Sequence, residues 1–266
     1  MLPPEIRQES IKEKILELIF PGDIYCAGCG KPVERGRLYS FCDECLDSII
    51  WANGRNCRIC GKPLESWYPS DICSGCAHSV RNTDGGVVCF IYQGCVRDMI
   101  RSLKYSGRGY LARIMGQILA EKIIYEDLDF DVCVPVPMFA SKEKKRGYNQ
   151  AELIARFMCG FLGKPCMPEL LTRTRQTKPM NRLSAAARRS NIKGAFSVPA
   201  ELADEVTGRT VLIVDDIYTT GSTVDECAAE LKKAGASKVF SAVMASGRNQ
   251  RRLPEEHASD KDDKAV

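Results

Sequence analysis

The amino-acid sequence predicts an α/β protein, with a parallel sheet covered by helices on both faces, and a small metal-bound module before it. Three observations lead to this prediction. Strand-like apolar segments alternate with segments of helical periodicity over residues 80–246. Eight of the 14 cysteines stand in CxxC pairs, all before that region. Near the carboxyl end, a buried strand leads into two aspartates, a hydroxyl-rich loop and a helix.

The 266 residues divide into four parts by composition. Residues 1–20 place isoleucine and leucine at helical spacing among charged residues, which predicts a short amphipathic helix and does not fit a secretory signal. Residues 21–79 hold the paired cysteines, and residues 80–246 hold the alternating pattern. Residues 247–266 are polar, which predicts a disordered tail. No apolar run approaches the ~20 residues of a membrane span, so we expect a cytoplasmic protein.

The cysteine block is an internal repeat. Each unit begins with a CxxC pair followed directly by Gly-Lys-Pro, and twelve residues separate this pair from a second CxxC pair. The second unit follows the first by 31 residues. Without an export signal, such pairs favour metal over disulfides, and four thiolates with no open position are typical of structural zinc. The repeat favours sequential pairing, which predicts two Zn²⁺ sites: Cys26, Cys29, Cys42 and Cys45, then Cys57, Cys60, Cys73 and Cys76.

Three alternatives to this assignment remain open in the sequence. The cysteines could be redox-active or buried thiols, could hold an iron–sulfur cluster, or could pair in an interleaved order. The other six cysteines are interpreted as isolated small apolar side chains: Cys89, Cys95, Cys133, Cys159, Cys166 and Cys227. The chain has only two histidines, His78 and His257, which argues against Cys/His and Ser/His catalysis.

The formal net charge of +4 is unevenly distributed. Residues 80–246 carry 24 Lys and Arg against 18 Asp and Glu, whereas residues 21–79 carry 6 against 7. Two zinc ions bound by eight thiolates would bring the cysteine block to about −5. Contacts with an anionic partner are therefore expected from the α/β part.

The apolar pattern of residues 80–246 gives the order of strands and helices. The predicted strands are 87–92, 132–136, 210–214 and 238–244, and the predicted helices are 95–104, 111–125, 151–162 and 224–233. Strands that are apolar throughout are typical of a parallel sheet buried on both faces. In such sheets ligands bind beyond the carboxyl ends of the strands.

Residues 211–223 have the composition of a sugar-phosphate site. The apolar strand leads into Asp215 and Asp216, and the loop and first helical turn that follow contain Thr219, Thr220, Gly221, Ser222 and Thr223. A helix N-terminus offers free N–H groups to a phosphate, and glycine permits close approach of the backbone. Two carboxylates suit sugar hydroxyls or hydrated Mg²⁺. The plain alternative, a capped helix after a strand, leaves the two aspartates unexplained.

Two basic segments lie in the same region. The first follows Val134-Pro-Val-Pro137 and carries Lys142, Lys144, Lys145 and Arg146, which predicts a loop able to grip pyrophosphate; a solvated basic loop is the alternative. The second, residues 172–196, has seven cations and no acidic residue. It fits a mobile cationic lid over a polyphosphate or, alternatively, a nucleic-acid patch.

Residues 211–223 resemble the phosphoribosyl-pyrophosphate (PRPP) motif of type I phosphoribosyltransferases. With the CxxC repeats, Leu103-Lys104-Tyr105, Val-Pro-Val-Pro, Arg-Gly-Tyr-Asn-Gln and Arg-Arg-Ser-Asn-Ile-Lys-Gly-Ala-Phe, the chain is similar to the ComF/GntX competence family from about Cys26 to Ala245. The resemblance implies a double zinc ribbon joined to a type I phosphoribosyltransferase-like domain. It places the 5′-phosphate of PRPP on Thr219–Thr223, the ribose on Asp215 and Asp216, and Mg²⁺ with the PRPP.

The family also implies that Lys104 and Tyr105 bind the pyrophosphate, and that the protein acts in natural transformation on incoming single-stranded DNA. Arg146 of the first basic segment is expected to bind the pyrophosphate with them. Two alternative functions are compatible with these features. The chain either transfers ribose 5-phosphate to an acceptor or is a non-catalytic factor that binds single-stranded DNA or other competence proteins. Neutralising the two aspartates would abolish the first activity, whereas neutralising Arg188 and Arg189 would weaken the second.

Overall fold

The computed structural model describes residues 24–177 and 184–248. The helix expected at 1–20 and nearly all of the expected tail lie outside the described residues. The described α-helices are α1 (Asp43–Ser48), α2 (Ser74–Ala77), α3 (Gly94–Tyr105), α4 (Leu111–Tyr125), α5 (Ala140–Arg146), α6 (Gln150–Leu162), α7 (Ala185–Ile192) and α8 (Ser222–Lys233). No helix among them is long and apolar enough to cross a bilayer.

A parallel sheet forms the centre of the α/β part. Its strands are β1 (Gly85–Ile91), β2 (Val132–Pro135), β5 (Thr210–Tyr218) and β6 (Lys238–Ser246), in the spatial order β1-β6-β5-β2. Every pairing between them is parallel. Two short strands, β3 (Thr172–Arg173) and β4 (Phe196–Ser197), form a separate antiparallel pair. The predicted α/β class with a parallel sheet is confirmed.

Helices cover both faces of this sheet. Strand residues such as Leu212 and Met244 belong to one hydrophobic cluster with buried residues of α3, α4 and α6. Their neighbours Ile213 and Val243 belong to a second cluster with buried residues of α8. This alternation is expected because successive side chains of a strand point to opposite faces.

The two cysteine repeats pack on opposite faces of the same sheet. Cys26 and Cys45 of the first repeat lie in the cluster of α3, α4 and α6, whereas the second repeat contributes Cys57 and Cys60 to the cluster of α8. A block of this length buries little core by itself. Here it shares the core of the sheet, so we expect binding of metal by the repeats to stabilise the packing of the sheet.

Two local predictions were wrong. The strand that was expected to end at Val214 continues through both aspartates to Tyr218, because β6 extends equally far and pairs Tyr218 with Ser246. The basic residues 142–146, expected in a loop, belong to helix α5, which ends at Gly147 in the left-handed conformation (φ 92°). Gly147 has no side chain to strain in that conformation, so it ends the helix at low cost.

Candidate functional site

The expected phosphate loop connects β5 to α8. It spans Thr219 to Gly221, and α8 begins at Ser222, so the free N–H groups of the first helical turn lie next to the loop. Gly221 precedes the helix with φ 77°, and a Cβ atom built there would lie 2.0 Å from the Tyr218 hydroxyl oxygen. The Thr220 and Ser222 hydroxyls are 2.9 Å apart. The loop is therefore tightly built around a glycine.

Asp215 and Asp216 lie near the carboxyl end of β5. The backbone N–H of Asp216 donates to Asp215 Oδ1 at 2.8 Å, and Lys104 Nζ lies 2.7 Å from Asp216 Oδ2. Apart from this lysine, no described side chain or backbone group satisfies that buried oxygen. The structure therefore brings together three of the predicted site residues, which come from α3 and β5.

Burial and repulsion between the two carboxylates determine the protonation of Asp215. Burial, reinforced by the charge of Asp216, raises the pKa of Asp215 to about 7. Burial by itself would lower the pKa of Lys104, but the charge and hydrogen bond of Asp216 outweigh it and raise that pKa. The lysine therefore stays protonated while Asp215 titrates near neutral pH.

Arg146 packs against Tyr105, the residue that follows Lys104. The Arg146 guanidinium lies over the Tyr105 ring, 5.3 Å from its centroid, and Tyr105 is 75% exposed. The Tyr148 hydroxyl donates to the carbonyl of Leu103, the residue before Lys104. The Arg-Gly-Tyr-Asn-Gln segment thus holds the end of α3, and with it Lys104 and Tyr105, in place.

Asn149 attaches the same segment to the end of β2. Its Nδ2 donates to the Val136 carbonyl at 3.1 Å, while its Oδ1 accepts from the Ala151 N–H at 3.1 Å and caps α6. Val136 directly follows β2 and belongs to the Val-Pro-Val-Pro sequence. The segment therefore connects β2, α3 and α6 at one edge of the sheet.

Arg173 belongs to the basic segment that was expected to form a lid, but it is partly buried. Its guanidinium lies 5.3 Å from the centre of the Phe196 ring, and its Nη2 donates to Thr177 Oγ1 at 2.5 Å. Burial lowers the pKa of Arg173, and the charge of Asp215 acts against that lowering. Lys178 and Arg182 of the expected lid lie outside the described residues.

Two cations contact the loop, Lys62 from the second cysteine repeat and Arg81 from the segment that follows it. Arg81 Nη2 donates to the Thr220 carbonyl at 3.0 Å, and Lys62 Nζ lies 3.4 Å from the Thr219 carbonyl oxygen. The backbone N–H of Asn82 donates to Asp225 Oδ1, in the first turn of α8, at 2.7 Å. Sequence reasoning missed these contacts, since nothing in the repeat indicates that it borders the loop.

Each cysteine repeat gathers four sulfur atoms. Cys26, Cys29, Cys42 and Cys45 form one cluster, and Cys57, Cys60, Cys73 and Cys76 form the other, each with all Sγ atoms within 4.8 Å of one another. The Cys26–Cys42 and Cys60–Cys73 sulfurs are 3.6 and 3.7 Å apart. A tetrahedral zinc ion with bonds of about 2.3 Å separates its ligands by about 3.8 Å. The donor sets fit structural zinc, and the clusters follow the sequential pairing.

The expectation that the other cysteines are isolated was wrong for three of them. Cys133, Cys159 and Cys166 bring their sulfur atoms within 4.8 Å of one another. They are 26 and 7 residues apart in the sequence, and no spacing rule for metal sites covers such an arrangement.

Two stretches of the chain match models of known families. Residues 169–265 match the family model described as phosphoribosyl transferase domain, and residues 15–77 match that of the double zinc ribbon domain. The chain therefore contains both, and the two cysteine clusters together with this match support structural zinc.

Curated relatives of this chain are named as competence or DNA utilization proteins. Competence protein F of Haemophilus influenzae is 37% identical over 109 residues, which cover 41% of this chain and 47% of that protein. DNA utilization protein YhgH of Escherichia coli O157:H7 is 35% identical over 146 residues, or 53% of this chain and 63% of that protein. This chain thus spans less than two thirds of either relative. These relatives and the two domain matches confirm the resemblance to the ComF/GntX family.

A solved structure, the glutamine phosphoribosylpyrophosphate amidotransferase from Bacillus subtilis complexed with ADP and GMP, is 21% identical to this chain. The match covers 50% of this chain and 25% of that one, with a TM-score of 0.34. The similarity is slight, and the fold assignment comes from the sheet topology and the domain match.

Proposed function

We propose, from the premise that this chain joins a phosphoribosyl transferase domain to a double zinc ribbon, that it binds PRPP or a related sugar phosphate and transfers its ribose 5-phosphate to an acceptor. The observation that carries the proposal is the arrangement of Asp215, Asp216 and Lys104 beside a glycine-containing loop at the start of α8. Carboxylates, a cation and free backbone N–H groups are the partners that a phosphorylated ribose requires.

Each group has a separate part in binding. The first turn of α8, with the hydroxyls of Thr219, Thr220, Ser222 and Thr223, holds the 5′-phosphate. Asp215 and Asp216 accept hydrogen bonds from the ribose hydroxyls. Lys104 and Arg146 face the pyrophosphate beside Tyr105. Lys104 is already paired with Asp216 at 2.7 Å, so the cation is positioned before the ligand arrives.

The donor set also fits Mg²⁺. The two carboxylates supply the oxygen atoms that this ion prefers, and Lys104 is the single described partner of the buried Asp216 Oδ2. Bound with PRPP, Mg²⁺ neutralises charge on the pyrophosphate. The side chains around it bind the ribose and exclude water from its reacting carbon.

The transfer itself is a displacement at C1 of the ribose. A lone pair of the acceptor forms the new bond to C1, the C1–O bond to pyrophosphate breaks, and its electron pair leaves with the pyrophosphate. The acceptor loses its proton to the pyrophosphate or to solvent. Lys104 and Arg146 stabilise the negative charge that develops on the leaving group, which is the step where fixed cations accelerate such a reaction.

The names of the relatives support a place for this activity in DNA uptake. Those names describe a competence protein and a DNA utilization protein. We assign this chain to the handling of incoming DNA in the cytoplasm, with PRPP or a similar sugar phosphate as its ligand.

Calorimetric titration of the zinc-loaded chain with PRPP and Mg²⁺ tests the binding site. The double variant Asp215→Asn/Asp216→Asn is expected to lose at least tenfold in affinity. Asp204→Asn, a change of the same chemistry at an exposed position, serves as the control and should bind like the wild type. Equal affinities in all three proteins would refute the proposal.

A second function, binding of single-stranded DNA without transfer, is favoured by one observation. No acidic residue occurs from Leu170 to Ala200, and Arg189 and Lys193 on that stretch are exposed. If this surface binds DNA, the affinity for DNA falls steeply as the salt concentration rises. Arg188→Gln/Arg189→Gln then reduces the slope of log K against log salt concentration by about two. Asp215→Asn/Asp216→Asn leaves DNA binding unchanged, so the same two variants separate the two functions.

A further inference from the structure

Three cysteines outside the zinc ribbon converge from three segments of the α/β part. Cys133 lies on β2, Cys159 near the end of α6, and Cys166 in the segment after that helix. Their Sγ atoms all lie within 4.8 Å of one another, the same limit that the two four-cysteine clusters satisfy. Sulfur ligands that share one ion through bonds of about 2.3 Å lie about 3.8–4.0 Å apart, which is within this limit.

Backbone contacts fix the three cysteines relative to one another. The N–H of Cys133 donates to the Pro165 carbonyl at 3.0 Å, and the N–H of Met167 donates to the Cys133 carbonyl at 2.9 Å, so Cys166 runs alongside β2. Gly163 ends α6 in the left-handed conformation, and the N–H of Lys164 donates to the Cys159 carbonyl at 3.0 Å. The arrangement therefore follows from main-chain structure.

The three cysteines differ in their exposure to solvent. Cys133 is fully buried and Cys159 is 3% exposed, whereas Cys166 is partly exposed. A buried thiolate is costly unless a cation compensates it. Soft thiolate ligands select thiophilic ions such as Zn²⁺ and Cu⁺. An ion would enter past Cys166, and three protein ligands would leave one position for an exchangeable ligand on that side.

We propose that Cys133, Cys159 and Cys166 form a third metal site, which binds one thiophilic d¹⁰ ion through three thiolates. Binding converts the thiols to thiolates, and their protons pass to solvent. The bound ion links β2 to α6 close to the Val-Pro-Val-Pro sequence. This inference is independent of the proposed transferase activity.

Cadmium NMR of the full chain, reduced and loaded with Cd²⁺, tests the site. We expect two resonances from ions with four sulfur ligands and a third from an ion with three. Cys166→Ala removes only the third resonance, and Cys166 is the least buried of the trio, so the fold tolerates this change. Cys227→Ala is the matched control, because Cys227 is a cysteine outside the described clusters, and it should keep all three resonances.

Native mass spectrometry of the same proteins counts the ions directly. The wild type should carry one more Cd²⁺ than Cys166→Ala. The proposal is overturned if the wild type holds only the two ribbon ions, or if Cys166→Ala keeps the third resonance.

Discussion

Replacing Gly221 with alanine tests how the loop before α8 is built. Gly221 has φ 77°, a conformation that costs an L-residue about 1–2 kcal/mol. The new Cβ would also lie 2.0 Å from the Tyr218 hydroxyl oxygen, whereas carbon–oxygen contacts normally exceed about 3.3 Å. Tyr218 is 4% exposed and packed with the second cysteine cluster, so the loop has to move instead.

The displaced loop should bind a phosphate poorly. A shift of roughly 1 Å or more moves the N–H groups at the start of α8 out of hydrogen-bonding distance, since such bonds span about 2.7–3.2 Å. We expect Gly221→Ala to weaken PRPP binding at least tenfold, or about 1.4 kcal/mol. Calorimetry with PRPP and Mg²⁺ measures this loss, and thermal unfolding reports the accompanying loss of stability.

Gly208→Ala is the matched control. Gly208 has φ 74°, and a Cβ atom built there meets nothing within 4 Å. This variant carries the same backbone cost without the contact at Tyr218, so it should lose stability but keep its affinity for PRPP. Unchanged PRPP binding in Gly221→Ala, or an equal loss in both variants, would refute the reasoning.

Three further predictions concern the groups around the loop. Arg81→Met removes the donor to the Thr220 carbonyl; calorimetry should show PRPP binding weakened about threefold to tenfold, with zinc content by metal analysis unchanged. Because burial and Asp216 raise the pKa of Asp215 to about 7, ionisation of Asp215 opposes folding between about pH 4 and pH 7. Over that range the unfolding temperature of the wild type relative to that of Asp215→Asn should fall as the pH rises, and a difference that does not change with pH would contradict this prediction. Removal of zinc by a chelator should lower the unfolding temperature of the whole chain, because both cysteine clusters share the core of the sheet. An unfolding temperature that chelation leaves unchanged would contradict this prediction.

The sequence was sufficient for features that depend on local spacing. The cysteine repeat is one, because the two ligands of each CxxC pair, which are three residues apart, must reach the same ion. The alternation of strands and helices is another, since buried parallel strands are apolar throughout. The extent of β5 was not predictable in this way. Asp215 and Asp216 are poor strand formers, and they stay in the strand because β6 continues the hydrogen-bonding ladder beside them.

Contacts between distant segments could not be predicted from one sequence. Arg81 and Thr220 are 139 residues apart, and only the folded chain shows that the segment after the second cysteine repeat borders the loop. The three cysteines of the proposed third site come from β2, α6 and the following segment, with no spacing that indicates a shared ligand. Lys104 was proposed from a family resemblance, whereas its pairing with Asp216 is a matter of tertiary structure.

A crystal structure of the full chain with PRPP and Mg²⁺ tests the central claim most directly. The account predicts that the 5′-phosphate lies against the backbone N–H groups at the start of α8, with the ribose hydroxyls hydrogen-bonded to Asp215 and Asp216 and the pyrophosphate near Lys104. A phosphate bound elsewhere, for example on the basic segment 172–196, with the loop empty at saturating PRPP, would contradict it.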